Sequence, residues 1–384
     1  MNPLAETYQN VGDLLQALIR VPSVNPDGDP GTTPENCGEG AMARFVGDLL
    51  ERLGAEVRYD EIEPDRPNVV GTFPGGGGKP VVLLGPHTDT VGVGGMTVDP
   101  FGGERRDGKI FGRGASDTKG TMAAMLWALA ELGPEAIADL DVGVAFVGFM
   151  GEETGQPGSR HFAQTYAGQY AFGLIGEPTN CDIVYKHKGT AWFTLEATGK
   201  AAHGATPERG ESAVAKMAEL VLGLERDFRA ELANGRYLDK VLGHPSINVG
   251  IINGGTRSNI VPERCTANVD MRVTPALGVE GGLALLEDFV AGRATIDPSL
   301  RCTPLDTPED DPFVQRLLAL PSAPKLVGAP WFCDAAVLAE EGGIPSVAAG
   351  PGDIAQAHTA DEWLDEGELE GGVAFYRDFL IGRS

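Results

Sequence analysis

Five short apolar runs, each bounded by Gly or Pro and each ending on a His, Asp or Glu, constrain this chain more than any other feature. They span 81–89, 109–117, 142–153, 172–177 and 344–358, and deliver His87 with Asp89, Asp117, Glu152 with Glu153, Glu177, and His358. Runs of this kind read as strands buried on both faces, the mark of a parallel sheet covered by helices. In an open α/β sheet the ligand lies beyond the carboxyl ends of the strands. Two His and several carboxylates gathered at such an edge make a metal-ligand set.

The segments between the runs carry helical spacing. Val11, Leu14, Leu15 and Leu18 recur at i, i+3, i+4 and i+7, with Asn10 placed to cap them and Pro22 to stop them. Residues 23–36 read as a loop, 39–53 as a helix, 55–60 as a strand and Gly75 to Gly78 as a turn. Met122, Met125, Leu126 and Leu129 predict a helix after Asp117, and 158–167 predicts another. This β-α alternation predicts an α/β domain whose largely parallel mixed sheet is flanked by helices. After residue 182 the pattern changes. Cys265, Ala267, Val269, Met271 and Val273 alternate with Thr266, Asn268, Asp270 and Arg272, which is a half-exposed antiparallel strand. Residues 190–198 and 246–252 look similar. Val214, Met217, Val221 and Leu224 predict a helix between them, and 281–291 another. The expected organisation is therefore a first domain over 1–182 and 299–384, with an inserted α+β domain over 183–298. Leu369, Val373, Tyr376 and Leu380 predict a closing helix.

A net charge of −25 opposes binding to nucleic acid or to an anionic membrane surface. It reads as a solvated acidic surface, or as weak attraction for cations. No apolar stretch approaches the roughly 18 residues of a membrane span, and the opening Met-Asn-Pro-Leu-Ala-Glu-Thr lacks signal-peptide features, so a cytoplasmic location is expected. The five cysteines form no CxxC pair, which argues against disulfides or a thiolate zinc site. Cys333, beside Asp334, is the one expected near a site.

His87 and Asp89 are two apart in extended chain and so point the same way; His87 can bind a metal while Asp89 orients it. Asp117 precedes a helix, where it can serve as a cap, but Ser116 offers the same service and leaves Asp117 free to bridge two cations. Adjacent Glu152 and Glu153 after the most apolar strand need compensating cations, one binding metal and the other serving as general base. Glu177 and His358 complete the set, though each alone also admits a structural role. Two divalent ions are balanced by Asp117, Glu153, Glu177 and one hydroxide, which favours a dinuclear centre. Two other motifs fail. Gly114-Ala-Ser-Asp-Thr-Lys119-Gly120 has Lys and Gly in the wrong order for a phosphate loop. Ser116-Asp-Thr-Lys119 lacks the companion motifs of serine acyl-transferases.

At these residues the chain resembles the dinuclear zinc amidohydrolases, the family of aminoacylase, acetylornithine deacetylase, succinyl-diaminopimelate desuccinylase and glutamate carboxypeptidase. The resemblance runs from Arg20-Val-Pro-Ser-Val-Asn25 to the last helix. It rests on Pro86-His-Thr-Asp-Thr-Val91, Gly112-Arg-Gly-Ala-Ser-Asp-Thr-Lys-Gly120, Gly151-Glu-Glu-Thr154, Gly176-Glu-Pro-Thr179 and Gly350-Pro-Gly-Asp-Ile-Ala-Gln-Ala-His358. It implies a zinc-peptidase-like catalytic domain holding two ions, zinc with cobalt as a substitute. Asp117 would bridge them, His87 and Glu177 would complete one site, and Glu153 and His358 the other. Glu152 would be the general base and Asp89 would orient His87. The inserted domain would be a lid and dimerisation module of a homodimer. Within it Ala202-His203-Gly-Ala-Thr-Pro207 resembles a segment whose His reaches the partner's active site, and the segments holding Asn259 and Arg272 resemble elements that bind a substrate carboxylate. An Arg suits bidentate carboxylate capture, and a His suits a developing oxyanion. The residues alone leave His203 open as a surface loop residue and Arg272 as half of a cross-strand ion pair.

Pro86 and Thr118 depart from the family's usual Gly and Met without touching a ligand. The Gly-Pro-Gly-x-Ile-x-x-Ala-His ending leans toward acetylornithine deacetylase, and hence toward amide hydrolysis of an N-acyl amino acid in arginine biosynthesis. A dipeptidase, carboxypeptidase or desuccinylase on the same centre is the alternative. A non-catalytic metal- or amino-acid-binding relative is a further one, but it has no need of Glu152.

Overall fold

Four of the five apolar runs become strands of one sheet. In the computed structural model Gly143–Gly148, Val81–Pro86, Phe172–Gly176 and Ser346–Ala348 lie side by side in that order, all parallel. All but Val81 are buried. Arg66–Thr72 and Glu56–Glu63 extend one flank antiparallel, and Ile183–His187 adds to the other. The run at 109–117 departs from expectation. Only Lys109–Phe111 is a strand, and it belongs to a separate three-stranded antiparallel sheet with Glu104–Arg106 and Trp363–Asp365. Ile110 and Phe111 are its only apolar residues before Gly112, too few to cross a sheet buried on both faces. Asp117 therefore sits in a turn, not at the end of a central strand.

The structure describes residues 2–26 and 29–383. Asp27 and Gly28 of the expected 23–36 loop, and Met1 and Ser384 of the expected first domain, lie outside the described residues. The chain divides into two units, Met1–Tyr185 with Thr307–Val327 and Cys333–Ser384, and Lys186–Asp306 with Gly328–Phe332.

In the first unit, Asn10 accepts the Asp13 N–H at 3.0 Å and starts the helix Val11–Ile19. Lys119–Asp139 is buried all round over its first 12 residues, with a break at Gly133, φ 73°. It packs against the closing helix Glu366–Ile381 within one apolar core that reaches from Leu4 to Leu380.

In the second unit, Ser246–Gly254, Arg264–Val273, Gly189–Thr198 and Thr295–Cys302 form an antiparallel sheet in that order. Cys265, Ala267, Val269, Met271 and Val273 are buried against the helices Ala213–Gly223 and Gly278–Val290. The strand Thr295–Cys302 runs through position 298, so this unit's sheet continues past the expected boundary. Among the described residues no helix is long and apolar enough to cross a membrane, and all five cysteines are free.

Candidate metal centre

Three neighbouring parallel strands each hand over a side chain. His87 follows Val81–Pro86 directly, Glu177 follows Phe172–Gly176 directly, and Glu152 follows Gly143–Gly148 after a turn through Gly151, φ 73°. The pairing of His87 with Phe149 carries the ladder to the edge of the site. Glu152–Thr154 is a single 3₁₀ turn, so the two glutamates leave the strand end in different directions.

Asp89 organises this edge. It is buried, and its Oδ1 accepts the Glu152 N–H at 3.0 Å while Oδ2 accepts the Glu153 N–H at 3.1 Å and the Asn25 amide at 2.9 Å. His87 Nδ1 lies 3.0 Å from the Asp89 carbonyl and 3.3 Å from its Oδ1. Donating there leaves Nε2 as the free ligand atom, 3.0 Å from Asp117 Oδ1. His358, whose side chain is 55% exposed, places Nε2 3.1 Å from Glu153 Oε2 and 3.4 Å from Asp117 Oδ2.

Ligand atoms within 4.8 Å of one another form three overlapping sets: His87, Asp117 and Glu177; Asp117, Glu153 and His358; His87, Glu152 and Glu153. Asp117 belongs to the first two, as a bridge would. The donors are hard carboxylates and imidazoles, the chemistry of a divalent site. Glu177 Oε1 is buried without a partner, an oxygen left for a cation.

The electrostatics agree. Burial pushes Glu152 and Glu177 well above the usual carboxylate range, with neighbouring carboxylates adding to it. Burial also pushes up Glu153, and Asp117 beside it adds to the rise. For Asp117 burial is outweighed by the bonds from His358 and His87, which hold it below its usual value. Burial alone would lower His87, but Asp117 and Asp89 raise it well above the ordinary imidazole value. Asp117 and Glu153 push His358 up to about 11. So many carboxylates around two imidazoles leave an excess of negative charge that cations would neutralise.

Sequence reasoning missed several supporting residues. Glu362, fully buried, accepts the N–H groups of Ser116 and Asp117 and pairs with Arg113. Buried Asp334 accepts from Ser159 Oγ at 2.6 Å and is pushed up to about 6 by burial. Its neighbour Cys333, the one cysteine expected near a site, is buried, and after burial itself the Glu177 carboxylate is the strongest influence raising the thiol.

His203, Asn259 and Arg272 belong to the second unit. His203 is exposed in a two-stranded ladder with Ile260–Val261, and its Nδ1 accepts the Ala205 N–H at 3.1 Å. The Asn259 carbonyl accepts the Gly204 N–H at 2.8 Å. Arg272 pairs with Asp270 at 3.0 Å, two residues back on its own strand and not across strands.

Comparison with known proteins gives one family and a consistent fold. The sequence model of Peptidase family M20/M25/M40 matches residues 83–381. An acetylornithine deacetylase from Proteus mirabilis is 29% identical over 377 residues, covering 93% of this chain and 92% of that protein. A probable carboxypeptidase from Aspergillus clavatus is also 29% identical, over 371 residues, covering 91% and 84%. Among solved structures, an M20 family metallo-carboxypeptidase from Sulfolobus solfataricus matches with a TM-score of 0.78 at 18% identity, covering 96% of this chain and 98% of that one. An aminopeptidase from Bacillus cereus matches with a TM-score of 0.73 at 21% identity, covering 97% and 98%.

Proposed function

The chain belongs to Peptidase family M20/M25/M40, and from that premise we propose that this metal-dependent hydrolase cleaves the amide bond of an N-acyl amino acid, N-acetylornithine or a close analogue. The observation that carries the reading is the pair of ligand sets sharing Asp117, with Glu152 beside them. His87, Asp117 and Glu177 would hold one divalent ion, and Asp117, Glu153 and His358 the other, zinc first with cobalt as a substitute. Such ions supply Lewis-acid polarisation of the amide carbonyl and lower the pKa of water.

The chain's own residues do the rest. Among the described residues no hydrogen bond engages the Glu152 carboxyl, and its raised pKa suits a group that takes a proton from water and passes it to the leaving amine. Asp89 holds His87 in the tautomer that presents Nε2. In this reading the second unit is a lid and the contact surface of a homodimer. His203 donates to the developing oxyanion, and Arg272 with Asn259 holds the substrate carboxylate. The five free thiols suit a reducing cytoplasm.

The identity to acetylornithine deacetylase over nearly the whole chain supports the deacetylase reading. The equal identity to a probable carboxypeptidase keeps peptide-bond cleavage at the same centre as the second reading. A panel of N-acetyl and N-succinyl amino acids and dipeptides, assayed with Zn²⁺ or Co²⁺ and ranked by kcat/KM, decides between them. No turnover on any member would defeat both. Glu152→Ala should keep its metal and lose about 10²–10⁴-fold in kcat; loss of metal and turnover together would remove the base assignment.

A further inference from the structure

Asp117 and His358 are prospective ligands that no strand of the central sheet carries. Both loops are gripped by one buried ion pair. The Glu362 carboxylate is fully buried. Its Oε1 accepts the N–H groups of Ser116 at 2.7 Å and Asp117 at 2.8 Å, and its Oε2 accepts the Gly114 N–H at 2.9 Å and Arg113 Nη1 at 2.9 Å. Arg113, itself buried, donates from Nε to the Gly92 carbonyl at 3.1 Å. From Nη2 it donates to the carbonyl of Thr359, the residue after His358, at 3.1 Å. The pair thus ties the turn that ends in Asp117 to the segment that begins at His358.

A buried ion pair adds little net folding energy compared with apolar filling, because desolvation consumes most of its attraction. What it does supply here is fixed geometry: three N–H groups of one turn converge on one carboxylate, which leaves the Asp117 backbone a single position. We propose that Glu362, with Arg113, is a positioning residue for the metal pair, setting Asp117 against His358 and thereby the affinity of the second ion. This rests on the metal-centre reading above. The effect is asymmetric. His87 and Glu177 end strands of the central sheet, whose ladder holds them whatever happens to the turn. The set Asp117, Glu153 and His358 draws two of its three members from the gripped loops.

The test is metal titration of the metal-free protein with Zn²⁺ by calorimetry and with Co²⁺ by visible absorption, for the wild type, Glu362→Gln and Arg113→Lys. A Gln at 362 can accept N–H groups on only one of its two terminal atoms. The wild type should take two equivalents. Glu362→Gln should weaken the first modestly, through the shared Asp117, and the second by a larger factor of about 10–100-fold. Saturating metal should restore most of its turnover. Arg113→Lys keeps the buried charge but cannot reach Glu362, Gly92 and Thr359 together, so it should show a smaller loss that falls mainly on the same equivalent. If Glu362→Gln does not fold, the lysine variant carries the decision. An unchanged second equivalent in the variants, or equal weakening of both equivalents, overturns the proposal. A wild type that fails to bind two equivalents overturns the metal-centre reading instead.

Discussion

The two sides of the centre are built differently. His87 and Glu177 continue strands of a parallel sheet and are buried, with His87 2% and Glu177 4% exposed. Asp117 and His358 hang from turns, and the His358 side chain is half exposed. Backbone ladders hold the first pair, whereas side-chain bonds from Glu362 and Arg113 hold the second. The difference teaches that a sheet edge alone supplies half of such a site. The other half depends on polar ties that contribute orientation more than stability.

The sharpest way to break this comparison is to remove one imidazole from each side. His87→Ala should abolish binding of the first ion and reduce turnover by more than about 10³-fold, since each catalytic term it supports is lost. It also strands buried Asp89 and Asp117, which should cost about 1–3 kcal/mol of stability in the metal-free protein. His358→Ala should lose the second ion and cost less metal-free stability than His87→Ala, because its own side chain is half exposed even though its removal too takes a partner from Asp117 and Glu153. Metal content by elemental analysis and thermal unfolding in chelator measure both. Equal destabilisation by the two variants would erase the distinction between a sheet-mounted and a loop-mounted side.

A smaller effect is expected at Asp89, which touches no prospective ligand atom except through His87. Asp89→Asn keeps the shape but turns one acceptor into a donor facing either the Glu152 N–H or the Glu153 N–H together with the Asn25 amide. Metal affinity should fall 10–100-fold at the His87 side, with the second equivalent less affected. Calorimetry on the two equivalents separates them. A loss confined to the second ion would move Asp89 to the loop side of the comparison.

What could be read from sequence follows the same divide. Val81–Pro86, Gly143–Gly148 and Phe172–Gly176 announce themselves because burial on both faces demands unbroken apolar residues, and their terminal polar groups then stand out. Asp117 did not stand out in this way. Its run looked like a fifth strand, yet Gly112-Arg113-Gly114 makes a turn held by a carboxylate 245 residues later in the chain. Nothing local in 109–117 records that bond; Asp117 was legible only as a carboxylate that Ser116 leaves free of capping, and from the resemblance of the whole motif. Glu362 was invisible for a related reason. A Glu in a polar stretch reads as surface, and only the converging N–H groups make it a buried acceptor. The alternation of 265–273 was legible for a simpler cause: one face of that strand is covered by helices and the other is not.

The smallest effect expected is a pH dependence of the metal-free protein, and it locates the strain between the two sides. Burial raises Glu152, Glu177 and Glu153, and the bonds from Asp117 and Asp89 raise His87 against burial. Each of these groups binds protons more tightly folded than unfolded. Their stabilisation is complete below the unfolded value, about 4.3 for Glu and 6.5 for His, and is lost as pH rises through the folded one. Lowered Asp89 and Asp117 act oppositely, but only below about pH 4. The melting temperature in chelator should therefore fall on the order of a few degrees between pH 5 and 8. The gain on adding Zn²⁺ should grow over the same range, because cations replace the displaced protons. Glu177→Gln should flatten the metal-free curve, since an amide at that position needs no proton to be neutral. His358→Ala should leave it nearly as it was, because solvent screens a half-exposed charge. If the two variants flatten it equally, the excess negative charge belongs to the whole ring of ligands and not to its buried, sheet-mounted side.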